Sequence, residues 1–166
     1  MKYLKLAFIS VIVFCFVITL ISFFFPSKVR ISKALDINVT KDSLLAVLGE
    51  PKRWRSWYPG ADSFQLVSVM NRTLGYRMNS EGALLRVMEE NDSGVVLEAS
   101  GAGIRDMKSG WNIYPSSSPH MQTVQWYMDF NLRWYPWEKF SSITFEKRFG
   151  PLMEQGLEKL RKYLEQ

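Results

Sequence analysis

The chain has 166 residues, one cysteine, one histidine and a net charge of +5 at neutral pH, which leaves room for one domain and a short appendage. So small a positive excess, with no run of Lys or Arg, argues against nucleic acid as a partner. Cys15 and His120 are the only residues of their kinds, which argues against a zinc site, and we expect no metal and no cofactor.

An apolar segment opens the chain. From Leu6 to Phe25, 20 consecutive residues carry no charge, and 15 of them are Leu, Ile, Val or Phe. At about 1.5 Å per residue, a helix of this length measures roughly 30 Å, the thickness of the hydrocarbon core of a bilayer. The sequence therefore predicts a transmembrane anchor within residues 1–26, which contacts the membrane through residues 6–25, and a separate domain at 27–166.

A cleaved signal peptide is the alternative to an anchor. Its apolar region would span about 7–15 residues and end with small residues at the cleavage site. The run in this chain is longer and ends in Phe23, Phe24 and Phe25, so we expect an uncleaved anchor. Basic residues flank both ends of the run, and the positive-inside rule therefore leaves the side of the membrane open.

A strand and two short helices are predicted after Pro26. Residues 28–38 alternate branched and polar side chains, which is the period-2 pattern of a β-strand. Asn38 or Thr40 can cap a helix over residues 41–48, and Pro51 can open a second short helical segment. The sequence "YPGAD" ends that segment.

Six further strands are predicted between Phe64 and Leu132. They are separated by short joints rich in Asn, Asp, Ser and Gly, which are typical of hairpins and indicate an antiparallel sheet. The last strand alternates clearly, and one of its faces is apolar, with Val124, Trp126, Met128, Phe130 and Leu132. This face must be covered by another element.

A long amphipathic helix is predicted from about Ser141 to the end of the chain. Its apolar residues recur at steps of three and four and form one stripe: Phe145, Phe149, Leu152, Met153, Leu157, Leu160 and Leu164. Gly150-Pro151 should kink this helix, and Gly156 on or beside the stripe should allow close approach of a strand or ligand. The simplest fold is therefore α+β, with a curved antiparallel sheet of about seven strands wrapped around the C-terminal helix.

Three phrases in this order resemble one known superfamily. They are "PSKVRISKALDIN", "KRWRSWYPG" and "TVQWYMDFNL", the last followed by "FGPLMEQGLEKLRKYLE". Together they are similar to the START-like, or Bet v 1-like (SRPBCC), superfamily, and within it to bacterial polyketide cyclase/dehydrase-type proteins with an N-terminal anchor. The resemblance implies a helix-grip fold with a deep apolar cavity between sheet and helix, used for lipids, sterols, polyketides or hormones. Many members perform no chemistry.

The residues that would line such a cavity are apolar or aromatic and lie on the inner face of the sheet, in the short-helix region or on the helix stripe. They are Trp57, Tyr76, Met107, Trp111, Trp126, Met128, Phe130, Phe149, Met153 and Leu157. Aromatic and methionine side chains adapt to irregular apolar shapes. The alternative is that these side chains fill the interior completely and form a solid core.

Polar residues at inward positions would be needed for catalysis. The candidates are Tyr76, Glu98, Arg105, Asp106 and Tyr127. No catalytic set can be assembled around His120, which follows the turn "PSSSP", so we name no catalytic residue.

The tripeptide "WYP" occurs at residues 57–59 and again at 134–136. We expect Trp134 and Trp137 to plug the corner beside the long helix, and Trp54 and Trp57 to serve either as plugs or as the rim of an entrance. Contact with the membrane surface is a further role open to these aromatic residues.

These observations lead to one functional hypothesis and two alternatives. The first is a membrane-anchored binding or carrier domain for a hydrophobic small molecule, such as a lipid or a polyketide- or isoprenoid-like compound. The alternatives are a polyketide cyclase/dehydrase-type enzyme and an interaction or sensing module with a filled core. Sequence alone does not choose among them.

Overall fold

The computed structural model describes residues 2–69, 72–77, 84–100, 107–116, 118 and 120–166. Helix α1 spans Lys2–Phe23 and is followed by strand β1, Lys28–Asn38, and the short helices α2, Lys41–Leu48, and α3, Pro51–Trp54. The further strands are β2 Gln65–Val69, β3 Arg72–Arg77, β4 Leu84–Asn91, β5 Gly94–Ser100, β6 Met107–Pro115 and β7 Met121–Asn131. Helices α4, Pro136–Ser141, and α5, Phe145–Leu164, end the chain.

The strands form one antiparallel sheet with the order β1-β7-β6-β5-β4-β3-β2. Each strand from β2 to β6 pairs with the next strand in sequence, as short joints require. Strand β1 lies at one edge of the sheet and pairs with β7 over its whole length, from Lys28 opposite Asn131 to Asn38 opposite Met121. The predicted seven-stranded α+β architecture is confirmed.

Helix α5 lies on the concave face of this sheet, with its apolar stripe turned inward. Met153, Leu157 and Leu160 are buried, while Leu152 on the flank of the stripe is 39% exposed. Gly156 is also buried, and a Cβ placed on it would lie 2.5 Å from the Trp126 ring on β7. The close approach predicted at Gly156 is therefore an approach of β7 to the helix.

The start of the long helix differs from the sequence prediction. A separate helix, α4, begins at Pro136, where proline suits the first helical position, and a short 3-10 turn joins it to α5. Pro151 lies seven residues into α5, and the helix runs on through it to Leu164.

One ion-pair cluster fastens α5 to the edge strand β1. The Lys33 ammonium lies 2.8 Å from a Glu146 carboxylate oxygen and 2.9 Å from one of Glu154, and these two glutamates are two helical turns apart. Both carboxylates raise the pKa of Lys33, with Glu146 having the larger effect. Lys33 therefore stays charged and holds both turns of the helix.

One end of the sheet, formed by the termini of the strands, is close to helix α1, and we call it the anchor edge. The strand termini at this end, in the order of the strands across the sheet, are Lys28, Asn131, Met107, Ser100, Leu84, Arg77 and Gln65. Each of them pairs with the terminus of the adjacent strand or with the residue next to it. Helix α1 ends at Phe23, five residues before Lys28.

Helix α1 is long and apolar enough to cross a membrane, with a mean hydropathy of 2.9. Most of its side chains are exposed, including Phe8 and Phe14. The chain just after it contacts the domain: the Phe25 ring meets Phe140 of α4 edge-on at 5.2 Å, and Lys139 donates to the Phe25 carbonyl at 3.0 Å.

Candidate functional site

Six aromatic residues fill the central interior, and we call them the aromatic cluster: Trp54, Trp57, Tyr58, Tyr76, Trp111 and Trp126. Their exposure ranges from 0% to 9%. Neighbouring ring centroids are 5.2 to 6.2 Å apart, as between Tyr58 and Trp126 or Tyr58 and Trp111, and most pairs have the tilted or edge-on geometries that aromatic quadrupoles favour. The cluster joins the short-helix region to strands β3, β6 and β7.

Helix α3 and the first "WYP" copy that follows it place half of this cluster, Trp54, Trp57 and Tyr58. Helix α3 opens with Pro51 and ends at Trp54, whose indole donates to the Leu48 carbonyl of α2 at 2.9 Å. The next turn directs Trp57 and Tyr58 inward, and Gly60 ends it with a φ of 81°, a conformation suited to glycine. Burial raises the pKa of the Tyr58 hydroxyl well above its usual value.

The four buried indoles differ in hydrogen bonding. Trp54 donates to Leu48, and Trp126 donates to the Ser109 hydroxyl at 2.9 Å. The indole nitrogens of Trp57 and Trp111 have no hydrogen-bond partner, although their ring centroids are only 5.4 Å apart. An unpaired buried donor costs about 1–3 kcal/mol, so two neighbouring ones in one cluster are unusual.

Four apolar residues lie closer to the anchor edge, and we call them the mouth group: Met107, Phe130, Phe145 and Phe149. All four are only partly buried and pack against the core. Phe130 is opposite Met107 in the sheet, and its ring lies 4.7 Å from that of Phe145 and 5.1 Å from that of Phe149. The interior is thus closed at its aromatic centre, while its apolar lining reaches the surface at the mouth group.

The structure divides the ten predicted cavity residues into two sets. Trp57, Tyr76, Trp111, Trp126, Met128, Met153 and Leu157 are at most 3% exposed and belong to the packed core. Met107, Phe130 and Phe149 form most of the mouth group. Strand ends that frame the mouth adjoin segments outside the described residues, so a cavity between sheet and helix stays a prediction.

Two of the polar candidates do not face the interior. Tyr127 was proposed as inward, which is wrong: it lies on the outer face under the Arg30 guanidinium, 4.7 Å from its ring centroid. Its hydroxyl lies over Gly110, where a Cβ would be 2.6 Å away. Glu98 also faces outward and pairs with Arg86 at 3.1 Å, as the cross-strand register allows.

Tyr76 is the polar candidate that the structure places inside. It is fully buried, and the backbone of Arg55 lies near its hydroxyl. Burial raises the pKa of Tyr76, while the charge and backbone of Arg55 oppose that effect. Arg105 and Asp106 lie outside the described residues, and His120 is exposed.

The prediction for Trp134 and Trp137 is wrong. Neither is a plug, since they are 62% and 65% exposed. Both line a concavity of about 420 Å³ with Phe140 and with Cys15 and Ile18 of α1. The sequence shows aromatic residues around a proline but does not reveal which element lies beside them.

Metal chemistry finds no support in the described part of the chain. Among those residues, no three His, Cys, Asp or Glu side chains are grouped so that they could hold a metal ion.

A curved seven-stranded antiparallel sheet around a C-terminal helix, with two short helices after the first strand, defines the START-like, helix-grip class of protein. The sequence agrees with this assignment. The family model described as "Polyketide cyclase / dehydrase and lipid transport" matches residues 28–165, and the chain belongs to that family. A search of curated proteins finds no significant match.

Solved structures share the fold at low sequence identity. A START superfamily protein from Mycobacterium smegmatis is 15% identical, with a TM-score of 0.60 over 82% of this chain and 97% of its own. The protein XoxI from Bacillus cereus is 14% identical, with a TM-score of 0.58 over 81% and 94%. Truncated norcoclaurine synthase from Thalictrum flavum is 13% identical, with a TM-score of 0.56 over 80% and 92%.

Proposed function

We propose that this protein is a membrane-anchored domain that binds or carries a hydrophobic small molecule or lipid. The observation that carries the proposal is the mouth group, where Met107, Phe130, Phe145 and Phe149 bring the apolar lining of the interior to the surface. Each buried Å² of apolar ligand contributes about 25 cal/mol. A ligand that buries about 300 Å² would gain roughly 7 kcal/mol before the cost of association.

The unpaired indoles support a more specific ligand. Trp57 and Trp111 can each donate one hydrogen bond and accept none, so they favour an acceptor such as a carbonyl or carboxylate oxygen. Tyr76 adds a buried hydroxyl to the same cluster. An apolar molecule that carries one oxygen-bearing end fits both the mouth group and these donors.

Retention of the anchor is supported by contacts after α1. A buried lysine needs a partner, and Lys139, only 5% exposed, finds one in the Phe25 carbonyl at 3.0 Å. Ser22 near the end of α1 is 1% exposed. Cleavage beyond Phe25 would remove Ser22 and the partner of Lys139, whereas an uncleaved anchor preserves both contacts.

An enzyme is the second candidate, and Tyr76 is the observation in its favour. Its hydroxyl is buried and keeps its proton at neutral pH because burial raises its pKa, so it could donate a proton but would be a poor base. The carrier is the better supported of the two because Glu98 and Tyr127 face away from the interior.

Lipid extraction tests the carrier proposal. Full-length protein is transferred from detergent into an amphipol, extracted with organic solvent and analysed by mass spectrometry. Ala99 faces inward beside Met107 and is 3% exposed, so Ala99→Phe should occupy the ligand's space. Ser100→Phe on the opposite face of the same strand is the matched control.

Lipid around α1 should be the same in all three proteins. We expect an apolar species in extracts of the wild type and of Ser100→Phe, and much less of it in extracts of Ala99→Phe. Near-UV circular dichroism shows whether Ala99→Phe is folded. Identical extracts from all three proteins would contradict it and favour a filled-core module. Recovery of an added ligand in chemically altered form would favour the enzyme.

A further inference from the structure

We propose that the exposed aromatic corner Trp134–Trp137 lies in the interfacial layer of the bilayer that α1 spans, and that it turns the anchor edge of the sheet toward the membrane. The inference rests on the anchored form of the proposed function and adds a second membrane contact. It starts from the exposure of Trp134 and Trp137, 62% and 65%, in a chain whose other four tryptophans are at most 1% exposed.

The corner is an ordered aromatic surface. The Tyr135 and Trp137 rings are stacked, with centroids 4.8 Å apart and an interplanar angle of 7°, and Trp134 lies 4.8 Å from Tyr135 on the other side. Pro136 fixes the backbone between them as the first residue of α4. Rigid amphipathic rings of this kind favour the headgroup region of a bilayer, where one end is apolar and the other wet.

The position of the corner relative to α1 indicates that the bilayer is what contacts its exposed rings. Trp134 and Trp137 line one concavity with Cys15, Ile18 and Thr19 of the anchor. At about 1.5 Å per residue, these positions lie roughly 6 to 12 Å inside the end of the helix at Phe23. The interfacial layer is about 5–7 Å deep on each side of a bilayer, so a membrane whose hydrocarbon boundary crosses α1 near Thr19 has the corner at that boundary and Phe23 among the headgroups.

The surroundings of the corner fit the headgroup layer. The Ser27 carbonyl accepts a hydrogen bond from the Leu132 backbone at 2.8 Å, which holds exposed Lys28 near exposed Arg133. Cations at this level attract anionic lipid headgroups. Lys139 of α4 lies against the end of α1, where its ammonium donates to the Phe25 carbonyl at 3.0 Å and lies 6.0 Å from the centroid of the Phe23 ring.

The consequence concerns the mouth group. Phe130 ends the inner face of β7 only four residues before Trp134, and Phe145 and Phe149 begin α5 after α4. If the corner and α1 share one membrane surface, the mouth group lies close to that surface. An apolar ligand could then move between bilayer and domain with little exposure to water.

Tryptophan fluorescence in vesicles tests the corner directly, because the six tryptophans fall into four buried and two exposed. Full-length protein is reconstituted in vesicles of phosphatidylcholine and phosphatidylglycerol, part of which carry a nitroxide near the glycerol end of the acyl chain. We expect these lipids to quench about a third of the emission, the share of two residues in six, and aqueous iodide to quench little. The double variant Trp134→Phe with Trp137→Phe should lose the lipid-quenched share.

Three outcomes would overturn the inference. Quenching by iodide but not by nitroxide lipid would place the corner in water. Protection from both quenchers would mean that a protein surface, such as a second copy, covers it. Lipid quenching that persists in the double variant would come from other tryptophans. All measurements are made without added ligand, so the carrier proposal stands or falls separately by lipid extraction.

Discussion

Gly156 shows how one missing side chain sets the distance between helix and sheet. Its Cα faces the Trp126 ring, and the space that a methyl group would need is occupied by that ring and by Pro59, whose ring carbons would be 3.0 Å from an added Cβ. The same contact couples α5 to the residue that completes the first "WYP" turn. The aromatic cluster thus depends on a position that carries no side chain.

Gly156→Ala should therefore destabilise the protein, although alanine is the better helix former by about 1 kcal/mol. Overpacking against Trp126 and Pro59 should outweigh that gain and leave a net loss of about 1–3 kcal/mol in the free energy of unfolding. Denaturant unfolding of the full chain measures it. Gln155→Ala, at an exposed position of the same helix, is the control, and a Gly156→Ala protein more stable than wild type would contradict the contact.

Burial was predicted correctly from the sequence where a single periodicity determines which side chains point inward. Trp126 and Met128 point inward, as the alternation along β7 requires. The same alternation sends Tyr127 outward, so its prediction as an interior group contradicted the periodicity of its own strand. Tyr127 is buried by Arg30 on the outer face, which requires knowledge of the neighbouring strand.

At the scale of elements, the Lys33 cluster joins two segments that are more than 100 residues apart in sequence. Strand β1 is an edge strand, so its free side offers no further strand for support. Lys33 contacts Glu146 and Glu154 from that strand and bridges two helical turns of α5. The cluster lies at the surface and contributes through charge.

Lys33→Gln should lower the thermal unfolding midpoint at neutral pH and low salt, whereas Lys159→Gln, an exposed lysine of α5, should not. Added salt should narrow the difference, because it screens surface charges. The folded pKa of Lys33 is raised above its ordinary 10.5, so its stabilisation is present below that pH and is lost as pH rises through the folded value. Equal midpoints for the two variants at low salt would show that the pairs contribute nothing.

The ends of helices and strands were predicted correctly where particular residues in the sequence indicate them. Helix α2 and strand β1 have the predicted ends, because Gly49, Pro51 and the alternation of β1 are local signals. Helix α4 was not predicted, and α5 begins at Phe145 instead of about Ser141, because residues 136–144 carry no strong apolar periodicity that marks either boundary. The groove between α4 and α1 was missed because it joins segments that no local pattern relates.

At the scale of the whole molecule, the connectivity places α1, the aromatic corner and the mouth group at one end. Strand β1 starts at the anchor edge, and β7 ends there, so the chain enters and leaves the sheet at the same place. Helix α4 and the start of α5 follow directly. The size of any cavity could not be predicted from sequence, since it depends on how closely side chains of known identity meet.

Lipid photolabelling tests this arrangement together with the carrier proposal. Full-length protein is reconstituted in phosphatidylcholine vesicles that contain a fatty acid with a diazirine on its chain, irradiated and digested. We expect labels on α1, on the corner and on peptides that carry Phe145 and Phe149. Peptides over residues 37–48, at the opposite end of β1 and in α2, should stay unlabelled.

Ala99→Phe supplies the matched comparison, because it should remove the label from the Phe145–Phe149 peptide and leave the labels on α1 and the corner. Labels confined to α1 in the wild type would show that the domain stands away from the bilayer. A label on the corner without one on Phe149 would keep the membrane contact and exclude lipid from the mouth. The two proposals thus separate in one experiment, because the corner lies outside the sheet and the mouth group lies on its inner face.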